Sequence, residues 1–207
     1  MRGSVMNTKV MVTIIVVIFA ADILWQLYQN WKRDELLKRL DTYLGNKDYA
    51  SFDELIDSKE VRRYFPAFNT AFMKLNEAMY KEDMKQIETA FDSFKMPMNK
   101  AQKEALYKKG FYYYLSIEDK EKTAYYYELL KELGVKDRQS LDMMYDTYIL
   151  KGYRYLDQIT EHIKDFSEEK QMPFFALLSD MYRNKGENEK ADEYEKKVIE
   201  YTEKLNK

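Results

Sequence analysis

The one histidine of this 207-residue chain is His162, in Glu161-His162-Ile163-Lys164-Asp165. A metal site built on it would need a second nitrogen or thiolate ligand, or a carboxylate cluster, and no HExxH pattern supplies one. General-base work would need an orienting partner in a cleft. His162 therefore reads as a surface histidine. The absence of cysteine excludes disulfides, thiolate zinc sites and cysteine nucleophiles together. No P-loop, G-x-G-x-x-G, G-x-S-x-G or EF-hand pattern occurs. The runs Tyr112-Tyr113-Tyr114 and Tyr125-Tyr126-Tyr127 offer stacking surface for sugars or bases. Three neighbours on a helix point in three directions, however, so most of them must pack between helices. The chain is expected to be no enzyme and to need no cofactor or metal.

The elements around these residues follow from composition. With 45% hydrophobic and 34% charged residues but only 6 Gly and 3 Pro, the sequence favours helix over turn-rich β structure. Its 34 basic and 36 acidic side chains are interspersed and sum to −2. No basic stripe exists to follow a phosphate backbone, so no nucleic-acid partner is expected.

Residues 1–9 form a polar tail, with translation expected to start at Met6 because Arg2-Gly3 codons read as a ribosome-binding sequence. Val10 to Ala21 is apolar with Thr13 tolerated, and after Asp22 the run continues through Ile23, Leu24, Trp25, Leu27 and Tyr28. Those 19 residues approach the ~20 that cross a hydrocarbon core as helix. Trp25, Tyr28 and Trp31 cluster at one end, as interfacial aromatics do. Residues 10–28 are expected to form a single transmembrane helix or signal anchor in a cell membrane. A cleaved signal peptide ending at Ala20 or Ala21 is the competing reading, although no A-x-A site is present. Arg2 and Lys9 flank one side, and Lys32, Arg33, Lys38 and Arg39 the other, a slight bias toward a cytoplasmic C-terminal domain that leaves the side open. Asp34 and Glu35 dilute any attraction of that second cluster for anionic lipid.

Residues 29–65 read as a juxtamembrane helix and an irregular hairpin, with Gly45 to Tyr49 as its turn and Ser51-Phe52-Asp53-Glu54 as a capping box. Beyond them, Tyr80, Tyr114, Tyr148 and Tyr182 stand 34 residues apart. D-x-Y-x-x-K-G occurs twice at that separation, from Asp146 to Gly152 and from Asp180 to Gly186. Asn99 with Gln102, and Ser116 with Asp119, have N-cap spacing. Gly134 suits a left-handed helix end. Pro66, Pro97 and Pro173 fall between helices or at their starts. The final helix, residues 188–205, carries an apolar stripe of Ala191, Tyr194, Val198, Tyr201 and Leu205 and leaves its other faces wet.

Phe175 to Ile199 resembles the tetratricopeptide repeat, whose period is 34. Phe175, Leu178 and Tyr182 match its helix A positions, Gly186 its turn, and Ala191, Tyr194 and Val198 its helix B positions. Ser179 departs from the family's helix A glycine. Ala90 and Ala124 stand as small helix B residues one place out of step, and near Asp157 and Gln158 no small residue is present, so that hairpin should pack more loosely. The resemblance implies an all-α fold: a right-handed solenoid of antiparallel helix hairpins over residues 66–207, behind the N-terminal transmembrane helix. Its groove positions are Lys74, Lys108, Tyr112, Asp142, Asp146, Asp180 and Arg183. The implied function is a scaffold or adaptor that binds a protein or peptide partner. The alternative is a self-associating regulatory or sensory subunit, a homo-oligomer beside a membrane complex. Peptide mass spectrometry of the native N-terminus tests the expected start: Met6 should come first, and any preceding residue refutes it.

Overall fold

The computed structural model describes residues 8–205, with side chains defined from residue 21 onward except at 168 and 205. Every regular element among these residues is helical. The chain divides into two compact units, Met1–Met98 and Asn99–Lys207.

The first unit holds α1 (Thr8–Gly45), α2 (Tyr49–Ile56), α3 (Lys59–Tyr64), α4 (Ala67–Tyr80) and α5 (Met84–Asp92). α1 is one helix of 38 residues and passes without a break through the expected boundary at residue 28. The side chains of residues 10–20 of the expected span lie outside those described. Among the described residues no helix is long and apolar enough to cross a membrane. Towards its C-terminus α1 becomes part of a protein core: Leu36 and Leu40 are buried with Phe52, Ile56, Val61 and Phe65.

The second unit holds α6 (Lys100–Ser116), α7 (Lys120–Leu133) and α8 (Arg138–Met144), which continues as a π-helical turn, Tyr145–Ile149. It then holds α9 (Leu156–His162) with a 3₁₀ turn at Ile163–Asp165, α10 (Glu168–Lys185) and α11 (Asn188–Leu205). The last helix therefore has the extent expected of it, and Ala191 is fully buried while Tyr194, Val198 and Tyr201 are half-buried.

The period resides in the turns. Left-handed backbone occurs at Lys47, Glu82, Glu118, Lys151 and Gly186, at intervals of 35, 36, 33 and 35 residues, and once more at Gly134 after α7. In three of these reversals an aspartate follows and caps the next helix: Asp48 accepts from Ser51 N–H, Asp83 from Gln86 N–H and Asp119 from Lys122 N–H. The outgoing carbonyls are closed by Asp48 N–H on Tyr43 O at 2.8 Å, Asp119 N–H on Tyr114 O at 2.9 Å and Glu187 N–H on Tyr182 O at 2.9 Å. These are the bonds of a Schellman end. Holding Lys or Glu in that conformation costs about 1–2 kcal/mol relative to right-handed backbone, so the packing of each hairpin must enforce it.

Within the second unit the hairpins α6/α7 and α10/α11 repeat each other at an offset of 68 residues. Tyr114 stacks on Tyr126 at 5.6 Å and 12°, and Tyr182 on Tyr194 at 5.5 Å and 12°. Lys122 Nζ lies 4.8 Å over the Tyr114 ring and Lys190 Nζ 5.3 Å over that of Tyr182. The buried small residue of α7 is Thr123, which is the position in step with Ala191; Ala124, expected in that place, is only half-buried. Ser179, the departure from glycine, donates its hydroxyl to Ala191 O at 2.9 Å where α10 and α11 cross.

The intervening hairpin differs. The π-helical turn places the left-handed residue at Lys151 rather than at Gly152, the counterpart of Gly186. Asn184 Nδ2 donates to Thr147 O and Gly152 O, which satisfies carbonyls that a regular helix would have paired. α9 is only seven residues long and buries Leu156 and Ile159 among α10 residues Leu177, Leu178 and Met181.

Several sequence expectations need correction. Asp48 begins α2, so Ser51 lies inside the helix and forms no capping box. Asn99 and Gln102 do form one. Ser116 is the last residue of α6 and donates to Tyr113 O, while Asp119 itself caps α7. Pro173 lies inside α10, beyond its first turn, where it removes one helical bond. Tyr80 is exposed at the end of α4, unlike the buried Tyr114 and Tyr182.

The α6/α7 crossing is close: a Cβ on Gly110 would meet the Tyr126 ring at 2.6 Å. Gly110→Ala should therefore destabilise the second unit by about 1–3 kcal/mol through overpacking, measured by denaturant unfolding. A neutral result would show that Tyr126 yields freely.

Candidate functional site

Each unit has a cleft of its own. That of the first unit, about 770 Å³, is lined by residues of α2 to α5 that include Asp53, Asp57, Lys74, Glu77 and Lys81. Its charges are internally matched. Lys74 Nζ holds both carboxylate oxygens of Asp57 at 2.8 Å, and Lys81 Nζ lies 2.6 Å from Glu77 Oε1 and 3.7 Å from Asp53. Burial raises the pKa of Glu77, against the opposing pull of Lys81.

The cleft of the second unit, about 350 Å³, is built by the end of α6, the start of α7 and the π-helical turn. Tyr112, Leu115 and Ser116 come from α6, Tyr148 and Ile149 from the π-helical turn, and Glu118, Lys120 and Lys151 from the two turns and the α7 start. Burial, reinforced by Asp180, pushes the Tyr148 hydroxyl up to about 12. Burial likewise raises Tyr112, with Asp137 adding to it. Lys120 and Lys151 have no ion-pair partner among the described residues. Two free ammonium groups beside two tyrosines and apolar Leu115 and Ile149 suit a chain with carboxylate and apolar side chains. Nothing in the cleft pairs a nucleophile with a base. Among the described residues no group of three His, Cys, Asp or Glu is placed to hold a metal. His162 is exposed, its Nδ1 3.6 Å from Asp165.

The seven expected groove residues separate. Lys74 belongs to the first unit and is engaged by Asp57. In the second unit, Lys108 joins Glu104 at 2.7 Å and Asp137 at 2.9 Å. Tyr112 is 40% exposed and lines the cleft. Asp142 accepts from the Tyr127 hydroxyl at 2.8 Å, and burial with this bond holds that hydroxyl up to about 12. Asp180 and Arg183 border a smaller hollow of about 220 Å³, where Arg183 binds Glu195 at 2.7 Å. Asp146 is the correction: its carboxylate is buried, accepts the Arg154 N–H at 3.1 Å, and fills the space a Cβ on Gly152 would need. It caps the strand of chain leaving the π-helical turn and presents nothing to a groove.

The residues missed from sequence are Glu118, Lys120, Ile149 and Lys151. Lys151 belongs to the D-x-Y-x-x-K-G motif, but only the π-helical turn turns its neighbourhood toward α6. Comparison of the chain with protein-family models, curated proteins and solved structures finds no match.

The raised pKa of Glu77 gives a signed expectation. Between the ordinary carboxylate range and the higher folded-state value, the folded chain holds the proton that the unfolded chain has lost. This group's contribution to stability therefore falls as pH rises through that window. Denaturation measured across pH should show the slope flattened in Glu77→Gln; an unchanged profile would remove the assignment.

Proposed function

We propose that the protein is a single-pass membrane-anchored interaction module, a scaffold or adaptor whose helical hairpins hold a protein or peptide partner. The observation that carries this reading is α1. Its residues Ile23, Leu24, Trp25, Leu27 and Tyr28 are large, apolar and 46–67% exposed, whereas two turns further on Leu36 and Leu40 are buried in the first unit. An exposed row of this kind needs a covering apolar phase. Continued back to Val10 it gives a helical length of about 28 Å, near the ~30 Å of a hydrocarbon core.

The hairpin repetition supports a right-handed, tetratricopeptide-like solenoid as the form of the soluble part, and through it the partner-binding role; that step rests on analogy of architecture. The cleft of Tyr112, Lys120, Tyr148 and Lys151 is the favoured seat for the partner segment. Arg183 and Asp180, 3.9 Å apart and with Arg183 also held by Glu195, contribute less.

Two measurements test the proposal together. The full chain should remain with membranes after an alkaline wash, and residues 29–207 alone should be soluble and helical. A photo-crosslinker at Tyr112 should then capture one recurrent protein, and capture should fall at least tenfold with Lys120→Glu and Lys151→Glu together. Capture of the chain by itself alone would replace the adaptor with the self-associating subunit.

A further inference from the structure

α3 is short, and its sequence Lys59-Glu60-Val61-Arg62-Arg63-Tyr64 assigns it three faces. Val61 and Tyr64 turn inward and are buried against Leu36 and Leu40 of α1. Glu60 reaches Lys32 of α1, 2.9 Å from Nζ. Lys59 and Arg63, one helical turn apart, share an exposed face.

The end of α3 is fastened to α1 beside its apolar stretch. Arg33 Nε donates to Tyr64 O at 3.2 Å, and the Tyr64 hydroxyl meets that of Tyr28, the last residue of the apolar run. The Arg63 guanidinium sits 5.9 Å over the Tyr64 ring. Trp25, Tyr28 and Trp31 form a line of rings with centroids 6.0 and 6.1 Å apart. Aromatics of this kind lie at headgroup level, so Arg33 and Arg63 are carried to that level too.

Of the acids expected to cancel this charge, Glu35 is occupied, as is Glu60 of α3. Lys32 alone holds both Glu35, at 2.6 Å, and Glu60. Arg33, Lys59 and Arg63 are left exposed, and Lys59 has no ion-pair partner among the described residues. Asp34 is the remaining acid, about a quarter turn round α1 from Arg33.

We propose that Arg33, Lys59 and Arg63 form a basic edge that binds the phosphates of anionic phospholipids in the bilayer entered by α1. This rests on the membrane-anchor reading and adds to it a lipid preference and a fixed orientation for α3. Guanidinium groups suit the task because they bind phosphate oxygens in pairs. The ion pairs of Lys32 act as a sorting device, since they take Glu35 and Glu60 away from the edge while leaving its cations free.

The chain's only tryptophans, Trp25 and Trp31, report on the lipids beside this edge. The full chain is placed in nanodiscs of equal parts phosphatidylcholine and phosphatidylglycerol, with either lipid brominated in its acyl chains. Wild-type fluorescence should reveal a phosphatidylglycerol preference on the order of fivefold or more at low salt. Lys59→Gln with Arg63→Gln should bring it close to parity while circular dichroism and melting stay unchanged. Equal quenching by both lipids in the wild type, or an unaltered preference in the double variant, overturns the lipid edge and leaves the anchor standing. No quenching by either lipid overturns both.

Discussion

On the proposed membrane-anchor reading, one uninterrupted helix has to satisfy two environments, and the first unit is organised around that demand. α1 presents a broad exposed apolar row at Ile23, Leu24 and Leu27, beside the polar pair Asp22 and Gln26, but only a buried stripe, Leu36 and Leu40, where α2 and α3 pack on it. The change occurs within about three turns. Lys32 and Arg33 mark it, and both are tied to α3, through Glu60 and Tyr64 O. A hinge there would decouple the exposed apolar stretch from the core that follows it. The absence of Gly or Pro between residues 10 and 44 keeps the helix continuous.

A second constraint repeats along the chain: each hairpin must reverse direction through a single left-handed residue. Only Gly186 is a glycine where the reversal needs one; Lys47, Glu82, Glu118 and Lys151 adopt the conformation at a cost. What offsets it differs between positions. At Glu118 and Gly186 the flanking helices are clamped by a stacked tyrosine pair beneath a lysine, the same arrangement at Tyr114 and Tyr126 as at Tyr182 and Tyr194. At Lys151 the π-helical turn and the Asp146 carboxylate do the work instead, and the chain is diverted enough to open a cleft beside Tyr112. The irregular hairpin is thus where a site forms.

How much of this could be read from the residues depends on whether the signal was local. Helix 188–205, the capping box at Asn99 and the left-handed Gly134 each depend on a few neighbouring side chains, and they were legible. Asp48, Asp83 and Asp119 are local signals too, but an aspartate after a charged residue resembles any surface sequence: the turn at Asp48 is legible, whereas its cap reads as Ser51, that of α7 as Ser116, and the turn at Asp83 carries no distinguishing mark. Alanine is the small residue that stands out in α7, whereas the register in step with Ala191 buries Thr123. The repeat register places Asp146 at a groove position, but in the π-helical turn its side chain is buried. Pairings such as Lys74 with Asp57 and Arg183 with Glu195 join distant positions, and periodicity says nothing about them.

The central claim is that α1 carries the chain from a bilayer into a folded core, and the lack of native cysteine makes it directly testable. Single cysteines replacing Val16 and Lys38 would be treated with a membrane-impermeant maleimide, in sealed vesicles of each orientation and after detergent. The account predicts that Val16→Cys stays unlabelled in both orientations until detergent is added, and that Lys38→Cys is labelled from one side of the intact membrane. Labelling of Val16→Cys in intact vesicles, at a rate like that of Lys38→Cys, would contradict it.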